Sequence, residues 1–171
     1  MSVDVRVPEI TNQMIDQRDL RNAFGQFATG VTVITTTDQD GRNYGLTANS
    51  FSSVSMDPAL LLFCPGKHIP SLPVLERTGH FTVNILRADQ QDLARQFARP
   101  AEDKFAGVEY TRGVFGDPVL EGCLATFQCS LYSNHDAGDH RVLIGQVHEF
   151  EYHPEREALL FHQGQMRGSN A

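Results

Sequence analysis

Between Gly45 and Pro58 lie five hydroxyl side chains, Thr47, Ser50, Ser52, Ser53 and Ser55, and one carboxamide, Asn49. Hydroxyls and carboxamides donate and accept hydrogen bonds without carrying charge. One reading of this density is a strand edge running into a turn, with Ser and Thr bonding their own backbone. The other is a shelf for a polar, phosphorylated ligand. There, small residues let a flat ring approach the backbone, and hydroxyls and free N–H groups hold oxygens or a phosphate. Neither a GxGxxG nor a GxxxxGK[ST] pattern occurs, so Rossmann and P-loop nucleotide sites have no support.

A second group of chemically able residues runs Asn134-His135-Asp136-Ala137-Gly138-Asp139-His140. A metal site would use both histidines and both aspartates, but the Cys/His spacing of structural zinc is missing. A hairpin turn needs only the Asp and Gly residues. A ligand-handling loop would use a histidine to orient or polarise a substrate near neutral pH. His68, His80, His148, His153 and His162 are scattered and read as surface or strand residues. No serine has a nucleophile-elbow context. Glu149, Glu151, Glu155 and Glu157 read as a solvated face.

The chain of 171 residues is long enough for one domain with its own core, without disulfide or metal staples. Its formal charge of −7 argues against a general nucleic-acid-binding role. No apolar run reaches the length of a membrane span, and the first residues lack the plan of a secretory signal. Three cysteines, Cys64, Cys123 and Cys129, with no CxxC pair point to reduced thiols in a cytoplasm. Cys123 and Cys129 are expected to pack in the core.

These residues need a scaffold. Residues 1–17 read as a loose arm and 18–171 as the domain. Leu20, Phe24, Phe27 and Ala28 fall on one helical face, with Gly30 at the exit. Strands are expected over 31–37, 42–49, 59–64, 80–86, about 123–134, 139–152 and 159–162. The strand at 80–86 alternates as if one face were buried. Helices are expected over 70–78, ended by Gly79, and from an Asp89 cap to Ala98. Residues 99–118 read as irregular. Strands dominate, and their links are short, so the fold class is mainly β: an antiparallel barrel or sandwich with peripheral helices.

Several ordered segments together resemble one known family. The run 45–58 resembles the signature of the flavin reductase-like proteins, small NAD(P)H:flavin oxidoreductases that feed two-component monooxygenases. The likeness continues through Phe24-Gly25-Gln26-Phe27-Ala28-Thr29-Gly30-Val31, Phe81-Thr82-Val83-Asn84-Ile85-Leu86, Ala94-Arg95-Gln96-Phe97-Ala98 and Gly138-Asp139-His140. It covers about residues 18–168. The resemblance implies an FMN-binding split β-barrel, FMN or FAD as flavin, NADH or NADPH as reductant, a homodimer, and a flavin-dependent oxygenase as partner. It implies that Thr47, Ala48, Asn49 and Ser50 line the isoalloxazine and ribityl chain, helped by Ser53. It places Cys64 beside the flavin and makes Lys67 and Ser71 phosphate partners. Phe97 and Ala98 would meet the flavin from the helix side. His140 would serve nicotinamide binding, with Gly138 and Asp139 beside it.

Rival readings belong to other classes. A non-catalytic flavin- or haem-binding barrel would bind cofactor without NAD(P)H turnover. A metal-dependent small barrel would use His135 and His140. A pyridoxamine-phosphate oxidase-like enzyme would need a basic phosphate cluster, and no such cluster is visible.

Overall fold

The structure, a computed structural model, describes residues 14–170. Most of the expected arm therefore lies outside the described residues. Helix α1 (Gln17–Phe24) is capped by Asp16, whose carboxylate accepts the N–H groups of Arg18 and Asp19 at 2.8 and 2.9 Å. The helix stops at Gly25 rather than Gly30, and none of its residues is buried. Phe24 and Phe27 are 70% and 78% exposed, and they do not share the helical face expected of them. The chain turns after Phe24, so the helical period never reaches Phe27 and Ala28.

Seven strands form one antiparallel sheet. They are β2 (Thr32–Thr37), β3 (Asn43–Ala48), β4 (Ser52–Met56), β5 (Ala59–Phe63), β6 (His80–Ile85), β9 (Ala125–Ala137) and β10 (His140–Tyr152). Their order is β3-β2-β6-β9-β10-β5-β4. The two edges, β3 and β4, are joined in sequence by residues 49–51 alone. From Ala48 to Ser52 the chain can span about 14 Å at most. That short tether bends the sheet round until its edges face each other. Yet β3 and β4 do not pair, so the barrel has an open seam. Strand β4 was not anticipated: its Ser-Ser-Val-Ser-Met sequence is mostly exposed and is held by pairing with β5.

Smaller elements surround this barrel. β1 (Thr29–Gly30), β11 (Leu159–His162) and β12 (Gln165–Gly168) form a second sheet. β7 (Tyr110–Arg112) and β8 (Pro118–Leu120) form a hairpin that begins inside the stretch 99–118 expected to be irregular. Helix α2 (Leu72–Thr78) ends at Gly79, whose φ of 71° is the left-handed conformation that glycine tolerates best. Helix α3 (Gln91–Ala98) starts after Gln90, and Asp89 pairs with Arg87 instead of capping it.

Ile34, Phe63, Phe81, Val83, Cys129 and Leu143 fill the barrel. A second cluster, with Val33, Leu86, Phe97, Cys123 and Leu159, packs between the barrel and α3. β6 is buried on both faces, not one. Asn84 is fully buried on its second face, where it donates to Val33 O and Thr35 Oγ1 and accepts from Leu120 N–H at 2.8 Å. With its amide fully used, the polar face costs little to bury. Cys123 and Cys129 are buried free thiols, as expected, and burial pushes both up to about 12.

Candidate flavin and nicotinamide site

A cleft of about 1230 Å³ opens along β3, one of the two strands that border the open seam. Its walls come from β3, the link 49–50, the segment after β5, the end of α3, the loop that follows it, and His140. Asn49, Ser50 and Phe51 lie outside any strand. Among the described residues their N–H groups meet no protein acceptor. This is the donor set that a ligand ring with carbonyl and imine acceptors would satisfy.

The link is nevertheless firmly placed. Ser50 Oγ accepts the N–H of Cys64 at 2.9 Å and donates to the Cys64 carbonyl at 3.3 Å, tying the bend to the end of β5. Thr47 Oγ1 donates to Ala94 O at 2.6 Å and ties β3 to α3. Behind them Phe97 is fully buried. A Cβ on Gly45 would stand 2.4 Å from its ring, so β3 has glycine where the helix packs closest. The ring makes an edge contact with Phe105 at 5.0 Å between centroids. Phe97 is thus the floor of the cleft, while Ala98 is exposed at its margin.

His140 stands on the opposite wall. The hairpin of β9 and β10 turns through Gly138 and Asp139, and Gly138 takes a φ of 64° that suits glycine. His140 Nδ1 is 2.7 Å from the Asp139 carboxylate, which holds that carboxyl below the usual range. Gly66 bridges His140 in the backbone. The N–H of Lys67 donates to Asp139 O and that of Arg141 to Pro65 O, both at 2.9 Å. A Cβ on Gly66 would lie 3.9 Å from His140 Nε2, so this nitrogen lies beside Gly66 in the cleft wall. His135 is a strand residue paired with Val142, away from the turn where it was expected. Among the described residues no three His, Cys, Asp or Glu side chains gather as metal ligands.

Nine of the thirteen residues singled out in the sequence line this cleft: Thr47, Ala48, Asn49, Ser50, Cys64, Ser71, Phe97, Ala98 and His140. Burial raises the Cys64 thiol above its ordinary range, so it stands there as a neutral wall. Ser71 is buried just before α2. The other four lie elsewhere. Ser53 sits exposed on β4, opposite Leu61. Lys67 points to the hairpin, with Nζ 2.6 Å from Asp136, so a carboxylate already holds its charge. Gly138 and Asp139 form the turn behind His140.

Sequence reasoning missed Lys104. It reaches from the loop after α3 to donate to Phe97 O at 2.8 Å and Gly45 O at 3.1 Å, pinning that loop over the cleft. Its only local sign is one lysine in a stretch without periodicity.

Cleft and fold together define a class, and comparison with known proteins gives it a name. The model of the flavin reductase like domain matches residues 24–170, and the chain belongs to that family. It is 44% identical to the reductase subunit HsaB of a flavin-dependent monooxygenase from Rhodococcus jostii, over 93% of this chain and 81% of that protein. It is 41% identical to a flavin reductase of Pseudomonas putida, covering 91% and 92% of the two chains. Among solved structures, the NADH:FAD oxidoreductase of Streptomyces globisporus C-1027, in complex with NAD and FAD fragments, superposes with a TM-score of 0.84. That pair is 37% identical, over 91% of this chain and 95% of the other.

Proposed function

We propose that this chain is an NAD(P)H-dependent flavin reductase that supplies reduced flavin to a partner oxygenase. The observation that carries the reading is the cleft itself. Its bend offers unengaged N–H donors at Asn49 and Ser50, and a fixed imidazole faces it from the other wall. The named relatives support the same reading, since they are reductases and reductase subunits.

When bound, the two cofactors supply a hydride transfer from nicotinamide C4 to flavin N5. The chain's part is to bind, orient and exclude water. The bend at 49–51 presents backbone N–H groups to the ring acceptors, where negative charge grows on reduction. Ser50 keeps that bend in register with Cys64. Ala48 lets a flat ring lie close to the strand, and Phe97 supports it from below. His140, with Nδ1 engaged by Asp139, has Nε2 left to hold the nicotinamide amide. It needs to move no proton. The cleft residues at the bend are neutral, so nothing there grips a departing product by an ion pair.

In this reading the chain works as a homodimer. Support comes from apolar side chains left in water: Phe150 and Tyr152 of β10, Tyr132 of β9 and Met56 of β4 are 56–92% exposed. Residues 149–152 of β10 are exposed on both faces. Apolar surface of that kind marks an interface. Sedimentation velocity should give twice the mass of 19.0 kDa; a monomer would remove this part of the reading.

The test of function is anaerobic stopped-flow mixing of protein with FMN or FAD and NADH or NADPH, in all four pairings. Rapid bleaching of oxidised flavin in at least one pairing is expected. Flavin binding without bleaching in any pairing would leave a non-catalytic flavin carrier as the better account.

A further inference from the structure

Asp139 fixes the His140 ring, but both residues belong to the same turn. That bond orients the imidazole within the hairpin and leaves open what holds the hairpin against the cleft. The Asp139 side chain is 87% exposed, so packing does not do it. Two ties do. One is backbone: the N–H groups of Lys67 and Arg141 reach Asp139 O and Pro65 O beside the bridge from Gly66 to His140. The other runs through side chains to α2.

Asn134 of β9 stands between Glu76 of α2 and Arg141 of β10. Its amide nitrogen donates to Glu76 Oε1 at 2.7 Å, and its amide oxygen accepts from Arg141 Nε at 2.7 Å. Arg141 Nε is also 3.5 Å from Glu76 Oε1, which closes a triangle of three side chains on three elements. The carboxamide gives its donor to the anion and its acceptor to the cation, the one sense in which both bonds form. The post at the far end is firm. Leu72, Val74 and Leu75 of α2 are buried, and the helix begins directly after Ser71 in the cleft wall. Glu76 and Arg141 are 35% and 25% exposed in their side chains, and ion pairs so placed contribute little to stability. Among the described residues that line the cleft, none of the three appears. The triangle therefore defines a position more than it stabilises the fold.

On the reading that His140 serves the nicotinamide, we infer that Glu76 is a positioning residue for the reduction: from α2, through Asn134 and Arg141, it sets the place of His140. Arg141 follows His140 directly in β10, so a shift of its backbone carries the imidazole with it. Misplacing an orienting group by about 1 Å is enough to cost a large part of its effect. The flavin bend lies on the other wall, tied to Cys64 through Ser50, and shares no side chain with the triangle. Loss of Glu76 is thus felt by the reductant and not by the flavin.

The parent is compared with Glu76→Ala, with Glu76→Gln, which keeps an acceptor for Asn134, and with His140→Ala alone and combined with Glu76→Ala. Asn134→Ala breaks the same link from β9 and replaces the helix variant should that one fail to fold. Without any ligand, NMR should show the His140 ring resonances displaced and the Arg141 amide exchanging faster in Glu76→Ala, with both restored in Glu76→Gln. With ligands, Glu76→Ala should raise the KM for NAD(P)H, or lower the reduction rate, by about fivefold, and leave the flavin dissociation constant within about twofold. Added to His140→Ala, it should change neither quantity further, because the group it places is gone. An unmoved His140 ring, parental kinetics, a full additive effect in the double variant, or flavin affinity falling in step with KM would each overturn the inference and leave the reading of His140 standing. Parental kinetics in His140→Ala itself would remove that reading, and the role of Glu76 with it.

Discussion

The bend at Asn49–Phe51 reaches the cleft through Asn49 and Ser50 and the hairpin tip at Gly138–His140 reaches it through His140, yet the two are built in opposite ways. At the bend, backbone donors are left without partners, and the tie that fixes it, Ser50 to Cys64, is neutral. At the tip almost every polar group is engaged. Asp139 holds His140, Asp136 holds Lys67, and Asn134 bridges Glu76 and Arg141 through bonds of 2.7 Å each. In the proposed reading a ligand completes the bend. The tip is arranged to hold one imidazole still. Asn49 is exposed and Ser50 and Phe51 are half-buried, so their free N–H groups are within reach of a partner from outside the chain. A tip so extensively paired, on a two-residue turn, is held in place without burying anything.

The largest expected effect lies beneath the bend. Phe97→Ala removes a fully buried ring that also fills the space Gly45 leaves, and should cost about 3–5 kcal/mol in denaturant unfolding. Flavin affinity should fall with it, while the amide resonances of the hairpin tip stay in place. Movement of both regions together would break the division between them.

Ser50→Ala comes next. It leaves the half-buried N–H of Cys64 without its acceptor and should cost about 1–3 kcal/mol. Flavin binding should weaken, with the KM for NAD(P)H, measured at saturating flavin, little changed. A change in KM alone would place Ser50 on the wrong side of the comparison.

The smallest effect belongs to the exposed charges of the tip. Asp136→Asn removes the partner of Lys67 at the surface, where ion pairs contribute little. It should shift unfolding less than Ser50→Ala and leave flavin affinity alone. The pH dependence carries the same signature. Lys67 lowers the Asp136 carboxyl, and His140 lowers that of Asp139. Depressed folded values mean that these groups add stability above the ordinary carboxylate range, and that this is lost as pH falls through the folded values. Titration followed by NMR should show both carboxyls ionising below the ordinary value for Asp, which is about 3.9. Ordinary values at both would mean that the tip is not held as described.

Much of this was legible from residue types. The run 31–37 and its return across Asp38–Gly41 became β2 and β3, and 80–86 became β6, because β-branched and alternating residues leave few other options. The hairpin of β9 and β10 announced itself through two long runs about Gly138. Strand β4 did not, because Ser52–Met56 has almost no apolar face and depends on β5 for its existence. Helix α1 was overextended because Phe24, Phe27 and Ala28 happen to match a helical period across a chain turn. In the cleft, the neutral cluster at 47–50 was readable as a ligand shelf. The direction of Lys67 was not, since its partner Asp136 lies 69 positions away. Lys104 was invisible for the same reason, its ties to Gly45 and Phe97 being tertiary.

The central claim is that the bend holds the flavin and the tip holds the nicotinamide. His140→Ala tests it most directly, with the flavin dissociation constant and the single-turnover reduction rate measured on the same preparation. The account predicts flavin affinity within about twofold of the parent, and a KM for NAD(P)H raised, or a reduction rate lowered, by about tenfold. Full reduction rate with unchanged KM, or a loss confined to flavin affinity, would contradict it.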